Sequence, residues 1–235
     1  MLWAGIIVFG AAFVHGLVGF AFALLAVPLL SFLWPLREIV PLMALLGGVL
    51  NGLLLFSLRR HFHIERIKSL FVGAIPGVVC GSLFLSHAPE EILRWVLGIT
   101  LISYGFYGLF RPHPKIILSE KWGYFFGFLA GALGAALNTP GPPVVVYVTL
   151  KGWPKDEVKS TLQGYFLVLL LLVISSHVLE GLVTILTIQR FFKLAPLVIL
   201  GLFLGHKIYY FLSAEHYLRL LYLLLIIAGF FSLGR

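Results

Sequence analysis

The sequence predicts an all-α polytopic integral membrane protein of two repeats with about four segments each. The first segment of each repeat is broken or re-entrant, and the repeats are inverted relative to one another. Three observations carry that prediction: an excess of apolar residues, long apolar runs joined by short basic connections, and glycines and prolines that recur at fixed spacing in the two halves. Of 235 residues, 60% are hydrophobic and only 11% charged, with a mean hydropathy of +1.05. Soluble domains are nearer half apolar and a quarter charged, and a chain of this length cannot bury so large an apolar excess away from water. Soluble enzymes, nucleic-acid binders and disordered proteins are thereby excluded. The formal charge of +8 sits in the connections, as expected of cytoplasmic loops facing anionic headgroups.

A membrane-spanning helix needs about 20 apolar residues. The apolar runs are Leu2 to Trp34, Ile39 to Leu58, Ser69 to Leu85, Ile92 to Phe110, Trp122 to Leu150, Ser160 to Leu179, Leu194 to Leu212 and Tyr217 to Leu233. Gly181 to Ile188 is left over, as an extension of the preceding helix or an interfacial stretch. Basic residues cluster between runs: Arg59, Arg60, Arg66 and Lys68; Arg111, Lys115 and Lys121; Lys151, Lys155 and Lys159. Trp3, Trp34, Trp95, Trp122 and Trp153 fall at run ends, where interfacial anchors belong. The amino terminus lacks a basic region, so no cleavable signal peptide is expected. The expected location is the inner (cell) membrane, multi-pass.

Two runs are too long for one span. As helices, Leu2 to Trp34 would extend about 50 Å and Trp122 to Leu150 about 44 Å. Each is interrupted: the first by Gly16, Gly19 and Pro28, the second by Gly131, Gly134 and the run Asn138-Thr139-Pro140-Gly141-Pro142-Pro143. Prolines lack the amide donor and push the preceding residue out of the α region, so no regular helix crosses that run. Gly16, Gly19 and Pro28 match Gly131, Gly134 and Pro143 at one offset of 115 residues without a gap. Pro76 and Gly81 match Pro196 and Gly201 at an offset of 120, and Pro35 with Glu38 resembles Pro154 with Glu157. The expected division is residues 1–115 and 116–235, each a broken segment followed by three spans.

Paired broken segments in the two halves of a membrane protein point to a transporter's binding site. Unwound backbone at membrane depth survives only when it is buried in protein or lines a polar cavity. Helices starting near Pro28 and Pro143 would turn amides and positive dipole ends toward an anion. The plainer reading is that the glycines and prolines only kink helices for close packing. If the broken segments are re-entrant hairpins, each half has three full spans, the halves are inverted, and more Lys and Arg fall on the cytoplasmic side than in an eight-span arrangement.

The polar residues agree with an anion site. The nine acidic residues all lie in or beside connections, with only Glu180 close to a run, which argues against a carboxylate-based proton or cation pathway. The candidate substrate-binding set is Gly19, Phe20, Pro28, Asn51, Gly134, Asn138, Thr139, Pro140, Gly141, Pro142 and Gln163, with Asn138 and Thr139 foremost because they stand at the break. Thr139 serves equally as a helix cap, and Asn51 and Gln163 as hydrogen bonds between helices. His15 is a candidate proton-sensitive group, with a neutral structural role as the plainer reading. Arg94, Lys207 and Arg219 are expected to snorkel to the headgroups. His61-Phe62-His63 is no metal pair, because alternate helix positions do not share a face. With one cysteine, Cys80, there is no internal disulfide or multi-cysteine metal site. No nucleophile triad or phosphate-binding loop is present, and neither enzyme activity nor a cofactor is expected.

At Gly16 to Pro28 and at Gly131 to Val146 the chain resembles the sulfite exporter TauE/SafE family of membrane transporters. The family pattern is a glycine-rich stretch ending in proline near the start of each half, the second copy being close to Gly-x-Gly-Gly-Pro before a valine-rich run. Here that copy reads Asn138-Thr139-Pro140-Gly141-Pro142-Pro143-Val144-Val145-Val146, with Asn138 and Pro140 in place of two family glycines. Ala21, Phe22 and Ala23 stand where glycines are common in the first copy. The resemblance extends over nearly the whole chain and implies secondary transport of a small anion, sulfite or an organosulfur anion such as a sulfonate, by alternating access between the repeats. The rival functions are a non-transporting membrane scaffold, carriage of a different organic anion, an intramembrane enzyme, and passive channel flux. The partners expected are the anion and the lipid bilayer, with no nucleic acid. A proton or sodium coupling ion and a homodimer are compatible with the sequence, which selects none of them.

Overall fold

The computed structural model describes residues 1–58, 64–110, 118–151, 155–208 and 214–234. Among them are ten α-helices and no strand: α1 Leu2–Val18, α2 Phe22–Leu30, α3 Leu36–Leu58, α4 Lys68–His87, α5 Glu90–Phe110, α6 Trp122–Leu137, α7 Gly141–Leu150, α8 Lys155–Leu179, α9 Ile185–Ile208 and α10 Ala214–Leu233. Five of these (α3, α4, α5, α8 and α9) hold stretches long and apolar enough to cross a membrane. Large apolar side chains such as Ile99, Leu171, Phe203 and Phe230 are more than half exposed on the outside of the bundle, where lipid replaces water as their solvent. His61 to His63, Trp153 and residues 209–213 lie outside the described residues.

Both overlong runs are broken helices. The first splits at Gly19 to Ala21, with Gly19 at φ 92°. The second splits at Asn138 to Pro140, with Asn138 at φ 53°. The helices after the breaks start earlier than expected. α2 begins at Phe22 and carries Pro28 inside it; α7 begins at Gly141, with prolines in its first turn. The left-handed residue, rather than the last proline, ends each first helix.

Another correction concerns α9. It starts at Ile185 instead of Leu194. Thr184 and Thr187 close its first turn reciprocally, each hydroxyl accepting the other's amide at 3.3 Å. The charges that interrupt the apolar run do not end the helix, because Arg190 pairs with Glu38 at 2.6 Å and stacks over the Trp34 ring at 4.0 Å. Gly181 (φ 69°) makes the turn between α8 and α9. Arg94 does not snorkel. It turns inward to Glu90 and to the Ser31 carbonyl, both at 3.3 Å.

Small residues set how the helices pair. α1 lies along α9, and α6 along α4. A Cβ at Gly16, Gly201 or Gly205 would strike the facing backbone in the first pair; at Gly73, Gly77, Gly81, Gly127 or Gly131 it would do so in the second. Such close approach is how helices associate in lipid, where burial of apolar surface gives no net drive. α5 packs on α10, and α3 on α8.

The contacts also give direction. α1 runs parallel to α9, Gly5 facing Leu197 and Gly205 facing Phe13. Trp34, just beyond α2, meets Arg190 near the start of α9, so α2 returns toward the end where α1 began. α6 runs parallel to α4, and Tyr147 near the end of α7 packs on Phe126 in α6 at a ring separation of 5.8 Å. The last turn of α4 is tied to the first turn of α3 by Arg37, which donates to Leu85 O and Ala88 O. The two helical hairpins, α1–α2 and α6–α7, therefore enter from opposite ends of the bundle.

Candidate functional site

The tips of the two hairpins face each other across a cavity. Phe20 packs 3.7 Å from where a Cβ of Gly141 would stand. Around them the walls come from five places: His15 at the end of α1; Phe20, Phe22, Ala23 and Leu24 at the first break; Gly47 and Asn51 on α3; Gly134 and Asn138 to Gly141 at the second break; and Phe166, Leu169, Leu170 and Val173 on α8. About 50 Å³ of the space is open to the centre of a water molecule, several times what one water needs and suited to a small oxyanion. Among the described residues, no Asp, Glu, Lys or Arg lines it.

Of the residues expected at the site, His15, Phe20, Asn51, Gly134, Asn138, Thr139, Pro140 and Gly141 line this cavity. Gly19, Pro28, Pro142 and Gln163 do not. Pro28 lies buried inside α2, where its carbonyl accepts from Ser31 Oγ at 2.7 Å. Pro142 is the second residue of α7. Gly19 and Gln163 act together: the Gln163 Nε2 amide donates to the Gly19 carbonyl, which the break frees from its helix. Gln163 is thus a strut from α8 to the first tip.

The second break is held the same way from the same helix. Thr139 N–H donates to Leu133 O at 3.1 Å and Asn138 N–H to Gly134 O at 2.9 Å. The Ala135 carbonyl is then left without its usual helical donor, Thr139. His177 of α8, fully buried, supplies it at 2.8 Å from Nε2. A carbonyl only accepts, so Nε2 carries the proton. The Thr139 hydroxyl lies 3.5 Å from Leu133 O, a long capping contact, and the residue also faces the cavity.

Two helix N-termini point into the cavity. At α2, Ala21 supplies no side-chain cap, and the first turn's helical bonding begins with Leu25 N–H to Ala21 O at 3.2 Å. Phe22 N–H is taken by His15 Nδ1 at 3.3 Å. That bond needs a lone pair on Nδ1, so the His15 ring in this arrangement is the neutral form with its proton on Nε2. Ala23 and Leu24 offer the remaining first-turn amides. At α7, Pro140 gives no cap, and Pro142 and Pro143 have no amide, which leaves Gly141 as the free first-turn donor. Each terminus carries about half a positive charge. On α3, Asn51 is buried with its Oδ1 unpartnered.

The sequence reading missed Phe22, Ala23 and Leu24 at the first tip, Gly47, and the α8 wall. Phe166, Leu169, Leu170 and Val173 follow i, i+3, i+4, i+7 spacing, the ordinary mark of one helix face, and nothing in them distinguishes a cavity wall from a core. Gly47 stands one turn before Asn51, and that spacing is the signal that would have found it. His177 carried no signal at all, since its role depends on a carbonyl released by a break 42 residues earlier.

An all-helical chain with several membrane-length helices and a neutral, amide-lined cavity between two broken helices defines a polytopic membrane protein of the transporter class. The family model of the sulfite exporter TauE/SafE matches residues 4–232, nearly the entire length, and the chain belongs to that family of membrane transporters. It is not an enzyme family. No curated protein and no solved structure matches the chain.

Proposed function

We propose that the protein is a secondary transporter of a small sulfur-containing anion, sulfite or a sulfonate. The observation that carries the reading is the convergence of two half-helix N-termini, from α2 and α7, on a cavity with no charged side chain among the described residues that line it. Such termini stabilise anions without the cost of burying a cationic side chain.

The mechanism we infer is alternating access between two inverted repeats, residues 1–115 and 116–235. The pairing of helices supports it. α1 packs on α9 as α6 packs on α4, and the glycines matched at fixed offsets, Gly16 with Gly131 and Gly81 with Gly201, all sit at these two interfaces. Hairpins entering from opposite ends fit re-entrant segments better than full crossings. If the basic connection 59–68 is cytoplasmic, α1–α2 enters from outside and α6–α7 from inside. The site then lies where rocking of one repeat against the other exposes it to each side in turn.

The test is uptake of labelled sulfite into liposomes carrying the purified protein, with unlabelled methanesulfonate, a monoanionic sulfonate, as competitor. Saturable uptake inhibited by a competitor is expected. No flux above empty liposomes, under proton and sodium gradients of either sign, overturns the reading.

A further inference from the structure

We propose that the cavity selects singly charged oxyanions, and that Asn51 receives the hydrogen of a monoprotonated one, so that sulfite is carried as hydrogensulfite. The proposal rests on the transport reading and narrows its substrate.

The first argument is charge. The positive field in the cavity comes from two helix N-termini, together worth about one elementary charge. Among the described residues, no lysine or arginine lines the walls, and His15, which does, is neutral while it accepts the Phe22 amide. A monoanion is matched by that field. A dianion would carry a whole uncompensated charge into a site between packed helices, which is strongly unfavourable.

The second argument is hydrogen bonding. Amides at the tips of α2 and α7, with the Asn138 side-chain amide, supply donors for anionic oxygens. Asn51 Oδ1 is different: it is an acceptor, its residue is nine-tenths buried, and it has no partner in the protein. A buried acceptor left unpaired is destabilising, and a ligand hydrogen that reaches it is favoured. A fully deprotonated oxyanion has no hydrogen to give it and meets it lone pair to lone pair. Hydrogensulfite brings one hydrogen and one negative charge, and satisfies both requirements.

The experiment compares three anions in proteoliposomes without a pH gradient, each corrected for empty liposomes. Sulfite titrates near neutrality, methanesulfonate is a monoanion at every pH used, and sulfate is a dianion. The KM for total sulfite should rise as the pH is raised through its second ionisation, by about tenfold per unit above it as hydrogensulfite is depleted, and stay constant when expressed as hydrogensulfite. The KM for methanesulfonate should stay flat; a parallel shift, which would place the titrating group on the protein rather than on the anion, overturns the proposal. Sulfate should be a poor substrate. Asn51→Ala should cost sulfite about tenfold in kcat/KM and methanesulfonate less than about twofold, a split that a merely structural role does not give. A sulfite KM that is flat or falls with pH, or sulfate flux equal to sulfite flux, overturns the proposal while leaving the transporter standing. No flux of any of the three overturns both.

Discussion

Replacing Asn138 by glycine removes a side chain from the cavity while keeping the backbone that ends α6. Asn138 is the one non-glycine residue at positive φ among the described residues. Left-handed backbone costs an ordinary L-residue about 1–2 kcal/mol and glycine almost nothing. Asn138→Gly should therefore fold at least as well as the parent. Asn138→Ala deletes the same donor but adds about 1 kcal/mol of strain. If the Asn138 amide donates to a bound anion, its loss removes a charge-assisted hydrogen bond worth about 1.5–3 kcal/mol. At 1.36 kcal/mol per tenfold, that is roughly 10- to 150-fold in kcat/KM. The assay is sulfite uptake at matched reconstitution, beside the melting temperature of the purified variants. The result that refutes the reasoning is an Asn138→Gly protein that melts normally and transports within twofold of the parent: Asn138 would then be a turn residue only.

Substitutions at four further positions test other parts of the structure. Gly47 lines the cavity, and nothing stands within 4 Å of a Cβ placed there; Gly47→Leu should fill the space and reduce uptake to background with little change in melting temperature. His177→Ala should leave the Ala135 carbonyl unpaired and destabilise the protein by about 1–3 kcal/mol, while His177→Gln, which can still donate, should recover part of the loss in both melting temperature and flux. A Cβ at Gly127 would strike the Leu70 carbonyl, so Gly127→Ala should cost about 1–3 kcal/mol by overpacking. Gly10→Ala, where a Cβ meets nothing within 4 Å, should be neutral or stabilising. Equal melting temperatures for the two alanine variants would remove the α4–α6 contact from the account.

How far the sequence could be read depended on whether a feature is set by its own neighbours or by a distant partner. The helix breaks are local. Consecutive prolines after Asn138 forbid a helix wherever they occur, and so the second tip, with Asn138, Thr139, Pro140 and Gly141 on the cavity, was visible in the letters. The first tip was legible only as a glycine at the right spacing, and the start of α2 was misplaced at Pro28 because proline is tolerated inside a helix that is held from outside. Features set at a distance were hidden. α9 continues through Arg190 because Glu38, 152 residues away, takes the charge. Gln163 reads as a site residue by its polarity, yet its amide is spent on a carbonyl that the first break releases. His177 does the same for the second break and looked like any histidine near a helix end. Both struts project from α8, and between them that helix gives the cavity its apolar wall. One helix thus fixes both broken ends and one side of the space between them. Sequence periodicity assigned α8 only the role of a span, because neither of its two partners is a residue type: each is a backbone carbonyl, and carbonyls leave no mark in a sequence.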